Sequence, residues 1–116
     1  MIYEHACRAT QGARPYQEDM AAFWPGSDDP FIDAGGAAPA GHLVAVLADG
    51  MGGHTGGALA SRVVCESFLE AFARDTEAVP QRLVSALEAC NGALAAKVEE
   101  NPLLSGMGST LIGAAF

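Results

Sequence analysis

In the stretch "LADGMGGHTGG", residues 47–57, an apolar run meets one carboxylate, Asp49, and then five glycines within eight residues. A carboxylate at the end of a strand projects beyond the edge of its sheet. Gly50, directly after it, has no side chain and can take dihedrals closed to other residues, so its carbonyl can turn toward the same point. Carboxylate, backbone carbonyl and water make an oxygen-only donor set, which suits a hard divalent cation such as Mg²⁺ or Mn²⁺. Gly52 and Gly53 would let the backbone fold back closely and leave room for a substrate. The same spacing also reads as a tight strand-to-helix turn with a capping aspartate. Spacing alone leaves both readings open.

A second cluster is "RPYQED", residues 14–19, in which Arg14 precedes Glu18 and Asp19 within one turn of chain. By itself this is a common surface ion-pair pattern. Its chemistry nevertheless fits the first cluster: carboxylates can hold metal-bound water, and a guanidinium grips phosphate with a planar fork. Rival site chemistries fail on their own patterns. The chain has no GxxxxGK[ST], and its two near-matches to GxGxxG, from Gly50 and Gly106, end on Thr55 and Leu111. GxSxG and HExxH are absent, and the histidines are scattered. Cys7, Cys65 and Cys90 lie far apart with no CxxC pair, so they form neither a disulfide framework nor a zinc ribbon. Cys65 and Cys90 fall on apolar helix faces and read as buried thiols, kept reduced as in the cytosol.

The elements that must position these groups are legible from periodicity. Residues 2–9 read as a strand, "GARPYQED" as a turn, and "MAAFWP" as a second strand in a hairpin with the first. Residues 26–41 are a loop, long for a compact domain. "HLVAVLAD" is continuously apolar, which predicts a strand buried on both faces. A helix is predicted from Thr55, as N-cap, to Arg74. Val64, Cys65, Phe68, Leu69 and Phe72 form its apolar stripe, and Arg62, Glu66, Glu70 and Arg74 step by four on the opposite face. A second helix is predicted from Pro80 to Glu100, with Leu83, Leu87, Cys90, Leu94 and Val98 inward, stopped by Asn101 and Pro102. The short connection predicts an antiparallel helix pair. "GMGSTLIGAAF" reads as a glycine turn into one closing strand. The order strand, strand, strand, helix, helix, strand is α+β rather than a βαβ series.

The 116 residues make one domain at most. Half are hydrophobic, enough for a packed core. A formal charge of -8 argues against the basic face that nucleic acid or anionic lipid would need. The N-terminus lacks the pattern of a signal peptide and "LVAVLA" is too short to span a membrane, so the expectation is a soluble, cytoplasmic protein.

"RPYQED", "VLADGMGGHTGGALAS" and "GMGSTL", in this order, resemble the PPM-type (type 2C) metal-dependent serine/threonine protein phosphatases in their bacterial form. The resemblance covers nearly the whole chain, and its central motif is the most specific part. It implies an α-β-β-α fold, a two-sheet β-sandwich flanked by antiparallel helix pairs. It further implies two divalent cations, Mg²⁺ or Mn²⁺, bridged by Asp49, with the Gly50 carbonyl on one of them. Glu18 and Asp19 match the family's acidic pair, which acts near the metals largely through bound waters. Arg14 matches the arginine that holds the substrate phosphate. The implied reaction is hydrolysis of phosphoserine or phosphothreonine in proteins by metal-activated water. The implied partners are phosphorylated proteins, a serine/threonine kinase or its targets among them.

The sequence departs from the family pattern in places. Many eukaryotic members carry a histidine after the Asp-Gly pair; here the position is Met51, as in bacterial members. His54 is not assumed to replace it and reads as a core or turn histidine. Gln17 stands where bacterial relatives often have asparagine. The family's later "GDSR", "SDGL" and "DN" motifs, whose aspartates complete the metal site, do not occur in these residues. Residues 1–116 are therefore expected to be the N-terminal portion of a single phosphatase domain, truncated before the later strands and inactive on its own. A non-catalytic, phosphatase-like binding module is the alternative from another class.

Overall fold

A computed structural model describes residues 8, 10, 12–13, 17–24, 43–52 and 54–116. The predicted first strand (but for Arg8), Arg14 and the loop at 26–41 lie outside the described residues. Strand β1 (Asp19–Trp24) runs antiparallel to strand β2 (Val44–Met51), from Asp19 opposite Asp49 to Trp24 opposite Val44. On the other edge of β2 run β3 (Gly108–Ser109) and β4 (Ile112–Ala115). Both are antiparallel to β2 in one continuous register, from Met51 opposite Gly108 to Val44 opposite Ala115. The single closing strand predicted from sequence is thus split at Thr110 and Leu111, and the break falls opposite Asp49 and Ala48.

Helix α1 (His54–Arg74) packs on one face of this sheet, and helix α2 (Val79–Glu100) packs on α1 after a four-residue connection. The core lies between them. Ala22, Trp24, Val44, Val46 and Ala48 come from the sheet, Val64, Cys65, Phe68, Leu69 and Phe72 from α1, and Ala86 and Cys90 from α2. The α1 stripe is therefore the predicted one. Its polar face carries the predicted pairs: Arg62 bonds Glu66 at 3.0 Å and Arg74 bonds Glu70 at 2.7 Å. Among the described residues no helix is long and apolar enough to cross a membrane.

Four expectations need correction. First, β2 is buried on one face only: Val44, Val46, Ala48 and Gly50 are covered, whereas Leu47 and Met51 are 53% and 55% exposed. Outward positions that are themselves apolar make the run look uniform, although burial alternates with the strand period. Second, α1 begins at His54, so Thr55 lies in the first turn rather than at the cap. Third, Leu87 is half exposed and Ala86 takes the inward position, because α2 presents its narrow, small-residue face to α1. Fourth, the closing strand is two strands. The predicted stop of α2 stands: Asn101 leaves helical geometry, its side chain accepts from the Leu103 N–H, and Pro102 opens a short 3₁₀ turn.

Candidate active site at the end of the central strand

The two acidic motifs meet through strand register. The Gly50 N–H donates to the Glu18 carbonyl at 3.0 Å. In an antiparallel ladder, hydrogen-bonded and open positions alternate, so the next pair, Asp19 and Asp49, is an open one, with Cα atoms about 4.5 Å apart. Both carboxylates therefore leave the same face of the sheet side by side, and both residues are exposed. Like charges placed directly opposite each other destabilise a ladder, and a cation between them reverses that sign. The donors are oxygens only. The Gly50 carbonyl points to the same edge as its N–H, toward the start of β1, as backbone groups of one strand residue do.

Glu18 goes the other way. Successive strand residues alternate faces, and its carboxylate lies against the first turn of α1. A Cβ on Gly57 would come within 2.6 Å of Glu18 Oε1. Among the described residues no three His, Cys, Asp or Glu side chains converge as a metal cluster. The structure thus brings Asp19, Asp49 and Gly50 together and sets Glu18 behind them, at the amino end of α1. Arg14 lies outside the described residues. A recess of about 240 Å³ opens beside Asp19 on the exposed sheet face, lined by Arg8, Thr10, Gln17 and Leu47 among others.

The glycines are accounted for by backbone contact. A Cβ on Gly50 would overlap the Gly57 carbonyl, and one on Gly57 would stand 3.2 Å from the Gly50 carbonyl carbon. Gly50 and Gly57 are both buried. They let the first turn of α1 rest directly on the end of β2. Gly52 has φ +138° and faces Met107, whose Cα and Cβ a side chain there would meet at 3.0 Å. Gly50 and Gly57 thus fill a helix–strand contact, a role that the sequence assigns to neither by position.

Two residues that sequence reasoning did not single out hold Asp49 from its other edge. Thr110 N–H donates to the Asp49 carbonyl at 2.9 Å. A regular pair would return a bond from the Asp49 N–H to the Thr110 carbonyl. Instead the Asp49 N–H donates to Thr110 Oγ1 at 3.1 Å. The Thr110 carbonyl accepts from Ser109 Oγ at 2.8 Å, and that hydroxyl also lies 3.2 Å from the Asp49 carbonyl. This exchange of side-chain for main-chain bonds is what splits β3 from β4. The signal in the sequence is two adjacent hydroxyl residues in a strand otherwise made of glycine and apolar side chains.

An antiparallel sheet backed by a helix pair, with two carboxylates opposed at one strand end, is a framework suited to a divalent cation. A family model for protein phosphatase 2C matches residues 27–116. The serine/threonine protein phosphatase PstP of Mycobacterium tuberculosis, from strains CDC 1551 / Oshkosh and ATCC 25618 / H37Rv, is 42% identical over 80 residues, which cover 66% of this chain and 15% of that protein. The crystal structure of the M. tuberculosis serine/threonine phosphatase PstP/Ppp matches with a TM-score of 0.64 at 33% identity, over 89% of this chain and 37% of that one. The chain belongs to the protein phosphatase 2C family, and it spans a minor part of the length of these relatives.

Proposed function

We propose that this chain is the N-terminal portion of a metal-dependent phosphatase domain that hydrolyses phosphoserine and phosphothreonine esters in proteins. The observation that carries the reading is the opposition of Asp19 and Asp49 at the end of β2, in a chain of this family. Bound Mg²⁺ or Mn²⁺ would supply a water activated for in-line attack on phosphorus and offset the charge that develops there. Asp49 would bridge the two cations, with the Gly50 carbonyl on one of them and Asp19 reaching them directly or through water. Glu18, set back against α1, would act through bound water. Arg14 would orient the phosphoryl oxygens with its planar fork. Later aspartates from outside residues 1–116 would complete the ligand set. The substrates are phosphorylated proteins, a serine/threonine kinase or its targets among them, and the site of action is the cytoplasm.

The test is phosphate release from a phosphothreonine peptide by the intact protein, with Mn²⁺ and with a chelator. Release that requires the metal supports the reading. An intact, folded protein that binds the peptide but releases no phosphate at any Mn²⁺ concentration would be a phosphatase-like binding module instead.

A further inference from the structure

We infer that Thr110 is a positioning residue for Asp49, and that its hydroxyl sets the level at which the Asp49 carboxylate stands opposite Asp19; the inference rests on the phosphatase reading above. Asp49 is held on two edges by different means. Toward β1 it stands opposite Asp19 at an open ladder position. Toward β3 and β4 its N–H and carbonyl are both engaged by Thr110, the N–H by Oγ1 at 3.1 Å and the carbonyl by the Thr110 N–H at 2.9 Å. The Thr110 hydroxyl leaves its Cα in a different direction from the Thr110 carbonyl. Its use as acceptor therefore holds the Asp49 peptide in a setting that a main-chain pair would not give. Ser109 Oγ donates to the Thr110 carbonyl at 2.8 Å and so takes up one lone pair of the main-chain acceptor that competes for the Asp49 N–H.

The flanking residues show the alternative. Leu47 pairs with Ile112 on one side and Gly50 with Ser109 on the other, in a shared register. A regular ladder through Asp49 is therefore available in the same fold. Replacing the hydroxyl would let β3 and β4 merge into one strand and reseat Asp49. Groups that orient a metal-binding side chain from behind are worth about 10- to 100-fold in metal affinity when removed.

The experiment compares Thr110→Val, which keeps the branched shape, with Thr110→Ser, which keeps the hydroxyl, in the intact protein. Mn²⁺ binding is measured by calorimetry, and the Asp49 amide is followed by NMR in metal-free protein. Thr110→Val should shift the Asp49 amide resonance and weaken Mn²⁺ binding by about 10- to 100-fold, with Thr110→Ser close to wild type in both. Ser109→Ala, which frees the Thr110 carbonyl without removing the Asp49 acceptor, should move both readouts in the same direction by less, and it serves where Thr110→Val does not fold. An Asp49 amide unmoved by the folded variants, or Mn²⁺ affinity unchanged while wild type binds the metal, would overturn the positioning role. A wild-type protein that binds no Mn²⁺ would overturn the phosphatase reading itself.

Discussion

Asp19 and Asp49 face each other across an open position of the β1–β2 ladder, fixed there by the Gly50 N–H bond to the Glu18 carbonyl at 3.0 Å. Two unit charges about 5 Å apart repel by about 1 kcal/mol in bulk water and about 3 kcal/mol at an effective dielectric of 20. Both residues are exposed, so the lower figure applies. Without a cation the pair is a modest liability to the fold. With one it becomes a ligand pair whose separation the ladder has already set.

Asp49→Asn should therefore have opposite effects on stability and on function. In metal-free protein it removes the repulsion and should raise stability by a few tenths to about 1 kcal/mol. In Mn²⁺ it should abolish most phosphate release, because a neutral amide would face the cations. Urea denaturation with a chelator and a phosphopeptide assay read the two effects. An Asp49 that merely capped a turn would leave stability and turnover near wild type, since asparagine caps as well as aspartate. Full turnover by the variant would sink the assignment.

Glycines at the turn and in α2 differ in sign. Gly50→Ala places a methyl group into the Gly57 carbonyl and should cost at least about 3 kcal/mol, since backbone rather than a pliable side chain must move. Gly57→Ala presses mainly on the far end of the Glu18 side chain, which can swing aside, and should cost about 1 kcal/mol or less. Gly92, exposed in α2 with nothing within 4 Å of an added Cβ, is the control. Gly92→Ala should stabilise by about 0.5–1 kcal/mol through helix propensity. Thermal unfolding of the three variants checks the order; a neutral Gly50→Ala would contradict the close helix–strand contact.

The sequence announced Asp49 and Asp19 through their motifs, and the α1 stripe through a clean helical period. It did not announce that they would be ladder partners, because register depends on which strands pair. Nor did it separate Glu18 from Asp19. Two adjacent carboxylates look like one cluster until the strand sends them to opposite faces. Leu87 misled for a related reason: α2 packs Ala86 and Cys90 on α1, and tertiary packing of small residues outweighs the pull of a larger apolar side chain one position on. Thr110 did not stand out as a site residue because a hydroxyl taking over a main-chain bond leaves no pattern in spacing; its one signal is the adjacent Ser109–Thr110 pair in an otherwise glycine and apolar strand.

Arg82 should prove the main polar link between the helices. Its Nη2 and Nε donate to the Phe72 carbonyl at 2.7 and 3.1 Å, and its guanidinium lies 4.0 Å over the Phe72 ring. Phe72 in turn stacks on Phe68 in the core. Arg82→Met keeps the apolar stem and removes both interactions, at an expected cost of about 1.5–3 kcal/mol. Arg82→Lys should fall between, since an ammonium lacks the planar fork. Urea midpoints at unchanged m-value measure this, and a loss below about 0.5 kcal/mol for Arg82→Met would show that the clamp contributes little.

The buried thiols predict a loss of stability in alkali. Burial pushes Cys65 up to about 12, with neighbouring Cys90 and Glu66 adding to the shift, and burial pushes Cys90 up to about 11. Their Sγ atoms are committed to the Met20 and Val64 carbonyls. In the unfolded chain both thiols ionise near their ordinary value of 9.0. Folded-state pKa values above unfolded ones mean that the stabilisation is whole below pH 9 and is lost as pH rises. Between pH 9 and about 11 the unfolded chain has released protons that the folded chain retains. Stability should then fall by up to about 1.4 kcal/mol per pH unit for each thiol. Other groups titrate in this range as well, so the comparison is with Cys65→Ala/Cys90→Ala, which starts less stable but should lose less per pH unit. Denaturation midpoints of the intact protein from pH 8 to 10.5 give both slopes. Equal slopes would mean that these thiols ionise as readily in the folded core as outside it.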